Sequence, residues 1–224
     1  MQYALVNGQR SQPAKGLEGI CSNCSCKVIA KCGNVKIHHW AHYRCNENDC
    51  DKWWESETEW HRNWKNKFPE KFREKVFKNI VTGECHRADI FTDSGIAIEF
   101  QHSRINSDEI KSREEFYKNL VWVIDASRSA VDVERFKKGV GYLYPINDKK
   151  NSFSILSKFI DRVFPKNWLN SSVPVVFDFQ LAYKACSEND DLKDLYYLTP
   201  SSDWYFEVER LSIELFIERF ISKV

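Results

Sequence analysis

Hydrophobic and polar positions along the middle of the chain repeat with periods typical of strands and helices. Residues 53–68, WWESETEWHRNWKNKF, have helical spacing and acids in the first turns, where the helix dipole favours them. Three strand-like segments follow: EKVFKNIV (74–81), CHRADIF (85–91) and GIAIEFQ (95–101). SDEIKSREEFYKN (107–119) opens as a helix does, and LVWVIDAS (120–127) is apolar enough for a buried strand. The pattern predicts a mixed α/β (α+β) fold with the order α-β-β-β-α-β.

The flanking segments have weaker patterns. CKVIAKCGNVKIHHWAH (26–42) favours a hairpin that runs into a short helix, with CGN as the turn. Towards the end, VPVVFDF (173–179) is typical of a strand, whereas SFSILSKFIDRVF (152–164) and LSIELFIERFI (211–221) have helical spacing. We therefore predict an N-terminal module over residues 1–52, a core over 53–150 and an extension over 151–224 that packs on the core.

The composition indicates a folded protein, and the distribution of charge along the chain indicates a nucleic-acid partner. Of 224 residues, 42% are hydrophobic and 14% aromatic, which is ample for a packed core. The net charge of +1 is unevenly distributed. Lys and Arg, interleaved with aromatic residues, dominate from Arg62 to Lys78, whereas acids dominate from 188 to 218. We expect the basic segment to contact nucleic acid. The acidic region is expected to be a solvated face, with a surface for a protein partner or a mimic of nucleic acid as alternatives.

The chain lacks the sequence features of membrane insertion or export. No stretch has the roughly 18 consecutive apolar residues of a spanning helix. The start, MQYALVNGQR, lacks the basic and apolar regions of a signal peptide. We predict a cytoplasmic protein without a membrane partner, in which clustered cysteines are metal ligands rather than disulfides.

Six of the eight cysteines lie between Cys21 and Cys50, together with three histidines. Cys21-x2-Cys24, fourteen further residues and His39-x2-His42 resemble the spacing of a tetrahedral zinc site. We predict a structural Zn²⁺ held by these four side chains, which would stabilise a module with a small core. Four other cysteines could replace a predicted ligand or bind a second metal: Cys26, Cys32, Cys45 and Cys50.

Two acids lie on the neighbouring predicted strands. If RADIF and AIEFQ pair around the turn at 93–95, Asp89 and Glu99 could approach at one end of the hairpin. Their carboxylates and the carbonyl of Phe100 would form an oxygen-rich site for Mg²⁺ or Mn²⁺. Gln101 would share the face of Glu99, because residues two apart on a strand point the same way. The alternative is that both acids are ordinary solvent-facing charges.

The preceding helix carries a polar stripe. Helical spacing places Glu57, His61 and Lys65 one above another, and Glu59 on the opposite side unless the helix starts at a different residue. This stripe predicts a polar patch beside the acid pair. The alternative is a solvated charge face with Trp60 and Trp64 as core anchors.

Several motifs in order resemble the competence protein CoiA-like family of predicted nucleases. They are CSNC, KCG, HHWAH, CDKWWESETEWHRNWK and HRADI…IEFQHS, and they cover roughly residues 1–125. The resemblance implies a PD-(D/E)XK nuclease core of order α-β-β-β-α-β, in agreement with the order predicted above.

The resemblance also implies roles for individual residues. Asp89 and Glu99 would bind Mg²⁺ or Mn²⁺, and Gln101 stands where the superfamily pattern has a lysine that orients or activates water. A glutamine takes up no proton, so either the metal alone generates the hydroxide or Lys65 acts as the base. His61 with Glu57 or Glu59 resembles the acid that the helix often contributes beside such sites.

The predicted function is metal-dependent hydrolysis of phosphodiester bonds in DNA. The residues do not distinguish deoxyribose from ribose, so RNA stays an alternative substrate. Because Gln101 replaces the lysine, a second hypothesis is a weak or inactive zinc-containing protein that binds DNA or docks a partner.

Overall fold

The computed structural model describes residues 1–45, 50–79, 83–185, 189–200 and 204–221. The chain divides into two compact units, Met1–Phe91 and Thr92–Val224. Helices and strands occur in both units, so the predicted mixed α and β class is confirmed. The three segments predicted at 1–52, 53–150 and 151–224 stay a prediction, because the division into two compact units does not test their boundaries.

The first unit begins with an antiparallel five-stranded sheet of order β2-β1-β3-β4-β5. Its strands are β1 Ala4–Val6, β2 Gln9–Ser11, β3 Glu18–Ile20, β4 Lys27–Lys31 and β5 His39–His42. Asn7 and Gly8 join β1 to β2 with φ of 50° and 79°, as a two-residue type I′ turn requires. A small core that includes Val28, Trp40 and Cys21 lies against this sheet.

The short helix predicted within HHWAH is wrong, because His39–His42 is strand β5. Lys31 pairs with His39 and Val28 with His42 across the β4–β5 ladder. This pairing satisfies the backbone groups that a helix would otherwise satisfy internally. It also separates the two histidines, since residues three apart on a strand point to opposite faces.

The rest of the first unit consists of helix α1 (Glu59–Asn66) and the antiparallel pair β6 (Arg73–Lys78) and β7 (Cys85–Phe91). The helix predicted over 53–68 is confirmed only in its second half. Thr58 is the N-cap, and its hydroxyl accepts a hydrogen bond from the His61 amide at 3.3 Å. Trp60 and Trp64 are buried in the core.

The second unit carries a run of strands in the order β10-β11-β14-β13-β12-β9-β8. The strands are β8 Ala97–Gln101, β9 Leu120–Asp125, β10 Tyr144–Pro145, β11 Ser152–Leu156, β12 Val175–Asp178, β13 Leu195–Leu198 and β14 Tyr205–Leu211. The helices are α2 Ser107–Tyr117, α3 Ala130–Gly139, α4 Gln180–Ala185 and α5 Ile213–Ile221. Strands β8, β9 and β12 are parallel neighbours, and the remaining pairs are antiparallel.

The element order α1, β6, β7, β8, α2, β9 matches the predicted α-β-β-β-α-β. In the C-terminal region, strand β12 and helix α5 are confirmed, whereas the helix predicted over 152–164 is wrong. Ser152–Leu156 is strand β11, which pairs along its whole length with β14, and a 3-10 helix follows. Sheet pairing outweighs the helical spacing here. Among the described helices, not one has the length and apolar character needed to cross a bilayer.

Candidate active site and metal centre

A buried group of charges surrounds Lys65 in the first unit. The Lys65 ammonium lies 2.6 Å from Glu57 Oε1, 2.8 Å from Glu74 Oε1 and 3.9 Å from Asp89 Oδ1. The side chains of Lys65, Glu57 and Glu74 are each less than 10% exposed, whereas that of Asp89 is 22% exposed. Asp89 is thus the carboxylate of this group that solvent reaches most easily.

Glu57 reaches Lys65 although it precedes helix α1. Arg62 donates two hydrogen bonds of 2.8 Å to the Glu57 carboxylate, from Nε and Nη2, and thereby holds it against the helix. Glu59, the alternative acid, is exposed in the first turn. His61 is buried, and its Nδ1 lies 3.1 Å from the Thr58 hydroxyl.

Glu74 stands opposite Asp89 on the neighbouring strand. Arg73 pairs with Ile90 and Lys75 with Ala88, so the register places residues 74 and 89 across from each other. Like charges in this arrangement repel. The ammonium of Lys65 contacts both carboxylates and offsets the repulsion.

Backbone groups complete the environment of Glu74. Its carboxylate accepts hydrogen bonds from the amides of Gln2 and Tyr3 at 2.7 and 3.1 Å. Its own backbone has φ of 49°, in the left-handed region that residues other than glycine rarely adopt. The contacts of its carboxylate therefore help to hold a strained backbone in place.

The pKa values of Glu57, Glu74 and Lys65 favour their charged forms. Burial alone raises the pKa of Glu57, but Lys65 and the Arg62 hydrogen bonds outweigh it and lower that pKa to about 2. Burial opposes the charge of Glu74 as well, and Lys65 holds the pKa of Glu74 well below its ordinary value. The pKa of Lys65 is raised, since Glu74 and Glu57 together outweigh the effect of its burial. Lys65 is therefore a cation at neutral pH.

Glu99 lies in the second unit, at the centre of strand β8. All five residues of this strand are buried, and Glu99 is 5% exposed. Arg113 of helix α2, itself 4% exposed, donates a hydrogen bond from Nη1 to Glu99 Oε2 at 3.3 Å. A buried carboxylate needs such a partner, because an unpaired charge is costly in a medium of low dielectric constant.

Gln101 lies two residues after Glu99, near the end of β8, and is 1% exposed. Its Nε2 donates to the carbonyl oxygen of Ser103 at 3.0 Å. This hydrogen bond orients the amide group of Gln101.

Thiol and imidazole groups converge beside the five-stranded sheet. The ligand atoms of four residues lie within 4.8 Å of one another: Cys21, Cys24, His42 and Cys50. Cys21 Sγ is 3.7 Å from Cys50 Sγ, and Cys24 Sγ is 3.3 Å from His42 Nε2. A tetrahedral zinc ion with Zn–S bonds of about 2.3 Å separates two thiolates by about 3.8 Å, so these donors fit zinc.

The thiolate form of Cys21 is favoured by its neighbours. The hydrogen bond from Cys50 lowers the pKa of Cys21, and Arg87 acts in the same direction against the effect of burial. Arg87 Nη2 lies 3.4 Å from the sulfur. Thiolates are the form in which cysteines bind metals.

Three of the four predicted zinc ligands belong to this group, and His39 does not. Its Nδ1 lies 2.8 Å from the carbonyl oxygen of Ile37. Cys50, one of the predicted alternatives, stands in its place. Cys24, Cys26 and Cys45 form a second group that shares Cys24 with the first. Of the described residues, Cys32 belongs to neither group.

Residues 57–138 match the family model described as "Competence protein CoiA, nuclease-like domain". The predicted resemblance to the CoiA-like family is confirmed. No curated protein and no solved structure matches the chain significantly. The CoiA nuclease-like segment contains Asp89, Glu99 and Gln101, and the cysteine region precedes it.

Two residues of the CoiA nuclease-like segment were not predicted from the sequence. Glu74 is one of many acids in a charged stretch, and only the β6–β7 register places it opposite Asp89. Arg113 follows Glu109 by four residues, a spacing that indicates an ordinary helix-surface ion pair. Its burial and its contact with Glu99 depend on the packing of α2 against β8.

The basic aromatic segment from Arg62 to Lys78 is only partly available to a ligand. Lys65 is buried, and the guanidinium of Arg73 donates to the carbonyl oxygens of Asn66 and Phe68. The exposed cations of the segment are Lys67, Lys71, Lys75 and Lys78. Any contact of this segment with a phosphate backbone would involve these four side chains.

Proposed function

We propose that this chain is a Mg²⁺- or Mn²⁺-dependent nuclease that hydrolyses phosphodiester bonds of DNA. The main support is the match of residues 57–138 to the model of a nuclease-like domain. The matched residues include both predicted acids, Asp89 and Glu99. The nuclease-like match by itself suggests interaction with nucleic acid. The proposal adds to this that cleavage depends on a metal ion, that the substrate is DNA, and that individual residues have the roles given below.

Asp89 and Glu99 are the proposed ligands of the divalent ion. Carboxylate oxygens are the donors that Mg²⁺ and Mn²⁺ prefer. Both side chains supply carboxylate oxygens, so the donor chemistry fits such an ion. Asp89 is partly exposed, and Arg113 donates a hydrogen bond to Oε2 of Glu99. The ion would lower the pKa of a bound water and neutralise charge on the phosphate in the transition state.

Lys65 keeps Glu57 and Glu74 ionised rather than acting as the base. Its raised pKa means that it carries no lone pair at neutral pH, which argues against the general-base alternative. Gln101 would orient the attacking water through its amide, which the hydrogen bond to Ser103 holds in one orientation.

The proposed role of zinc is structural. Cys21, Cys24, His42 and Cys50 would bind one Zn²⁺ in the first unit and connect β5 to the segment before α1. With four protein ligands the site would be closed, as structural zinc sites are.

The decisive experiment measures DNA cleavage by the purified full chain with Mg²⁺, Mn²⁺ or neither. Asp89→Asn and Glu99→Gln should each reduce cleavage by roughly a hundredfold or more, because each removes a charge that holds the metal. Asp108→Asn and Glu115→Gln make the same chemical changes at exposed positions of α2 and serve as controls. Metal-independent cleavage, or equal rates in all four variants, would refute the proposal.

A second candidate function is supported by Gln101, which supplies no charge and is already bonded within its own unit. In that case the chain binds DNA, or docks a protein partner through its C-terminal region, without cleaving. Several acids of that region form ion pairs within the second unit: Asp191, Asp194, Glu207 and Glu209. DNA binding that persists in both Asp89→Asn and Glu99→Gln, with no cleavage by the wild type, would favour this function.

A further inference from the structure

A polar pocket of about 580 Å³ opens in the second unit at the carboxyl ends of strands β8 and β9. These strands are parallel neighbours, with Gln101 paired to Ile124. The pocket is lined by the residues that follow each strand, including His102 and Ser103 after β8 and Ala126 after β9. Crevices outside the carboxyl ends of parallel strands are the usual ligand sites of such sheets.

The charges that line this pocket favour an anion. Four cations line it, Arg104, Arg128, Arg135 and Lys166, against two carboxylates, Asp125 and Asp132. Arg135 is paired with Asp132, and Lys166 with Asp161. Within the described part of the chain, Arg104 and Arg128 are exposed and form no ion pair or hydrogen bond. Two guanidinium groups are therefore available for a ligand.

The pocket also holds an oriented imidazole. His102 Nδ1 lies 2.7 Å from Oδ2 of Asp125, whose side chain is 1% exposed. The other oxygen of Asp125 accepts a hydrogen bond from the Ser127 amide at 3.0 Å. Because Asp125 is held at both oxygens, it acts as a positioning residue that sets the orientation of the half-exposed His102 ring.

The size and the apolar part of the pocket restrict the ligand further. A volume of about 580 Å³ is within the range of small-molecule sites and exceeds what a bare phosphate needs. Ile105, Pro165 and Trp168 provide apolar wall, and Asn167 adds an amide. A ligand that carries both a phosphate and a flat ring with polar edges matches this combination.

We propose that the pocket binds one nucleotide unit of the substrate strand, with its phosphate on Arg104 and Arg128 and its base against the wall of Ile105, Pro165 and Trp168. The inference rests on the proposed nuclease function and deepens it, because Gln101 belongs both to the pocket and to the candidate active site. The shared chemistry is a nucleoside phosphate, either at the end of a strand or within it.

The test is binding of a fluorescent twelve-nucleotide single strand to the full chain without added Mg²⁺ or Mn²⁺. The double substitution Arg104→Ala/Arg128→Ala should weaken binding about tenfold or more, because it removes two charge-assisted hydrogen-bond donors. Lys138→Ala/Lys150→Ala removes the same charge from exposed positions that do not line the pocket, and should change affinity less than twofold. Thermal unfolding of both variants checks that they fold.

A competition experiment with an excess of a deoxynucleoside monophosphate then distinguishes the two sources of the ligand, which are the end of a strand and an internal nucleotide. Competition for the strand in the wild type, and not in Arg104→Ala/Arg128→Ala, supports binding of a phosphorylated strand end. Absence of competition, with the affinity loss still confined to Arg104→Ala/Arg128→Ala, supports an internal nucleotide. Equal losses in the two double variants, or no loss in either, overturn the inference. This binding assay does not measure cleavage, so a failure of the nuclease proposal would appear only in the cleavage experiment described above.

Discussion

The ammonium of Lys65 lies 2.8 Å from the carboxylate of Glu74, and both side chains are almost completely buried. Glu57 contacts the same ammonium at 2.6 Å, so one cation is shared by two buried anions. Removing one partner of a buried ion pair is far more damaging than replacing the pair, because the other charge is left without compensation. This relationship makes Lys65 the residue on which the local charge balance depends.

Lys65→Met should destabilise the protein by about 3–5 kcal/mol, the usual effect of leaving a buried charge unpaired. Lys67→Met, which removes an exposed cation next to the end of the same helix, should have little effect. Urea unfolding of both variants measures the difference. Equal stability of the two variants would mean that the Lys65 contacts contribute no net stability.

Glu57 should make stability depend on acid pH. Its pKa is lowered from 4.5 to about 2 in the folded protein. A depressed folded pKa contributes stability that is fully present above the unfolded value, so the contribution should disappear as pH falls from about 4.5 to about 2. Glu57→Gln should flatten the plot of unfolding free energy against pH in that window. An unchanged slope would contradict the assigned ion pairs.

Zinc content should distinguish the observed ligand group from the one that the spacing predicts. We expect about one zinc per chain in the wild type and substantially less in Cys50→Ser and His42→Ala. Cys32→Ser and His39→Ala are matched controls outside the group and should keep the metal. Elemental analysis after purification measures this, with thermal unfolding in the presence of a chelator as a second readout. Loss of zinc in His39→Ala and its retention in Cys50→Ser would reverse the assignment.

Arg113 is expected to act as a positioning residue for Glu99. Arg113→Gln should lower Mg²⁺-dependent cleavage by about ten- to a hundredfold, the usual effect of losing a group that orients a metal ligand. The concentration of Mg²⁺ at half-maximal rate should rise, which a purely structural role would not produce. Arg113→Lys should restore part of the activity, and Lys111→Gln on the exposed face of α2 should behave as wild type. A normal Mg²⁺ dependence in Arg113→Gln would exclude the role.

Local signals predicted much of the secondary structure. The pattern of apolar positions identified strands β6 to β8, because burial of one face imposes a period on the sequence. A continuous apolar run identified β9, and an acid-rich first turn after Ser107 identified helix α2. The start of α1 was misplaced, since acids at 55 and 57 resemble a first turn, whereas Thr58 supplies the cap. The error at His39–His42 arose in the same way, from a local pattern that the β4–β5 pairing overrides.

The features of the candidate site also fall into those that the sequence predicts and those that depend on the tertiary structure. The sequence by itself determined the order of elements, the supply of thiols and imidazoles, and the presence of Asp89 and Glu99 as candidate metal-binding acids. Only the tertiary structure decided that Cys50 rather than His39 joins the cysteine group, that Glu74 faces Asp89, and that Arg113 contacts Glu99. The physical reason is that periodicity and capping are encoded within a few residues of the chain. Ligand choice and charge pairing depend instead on which distant segments approach when the sheets form.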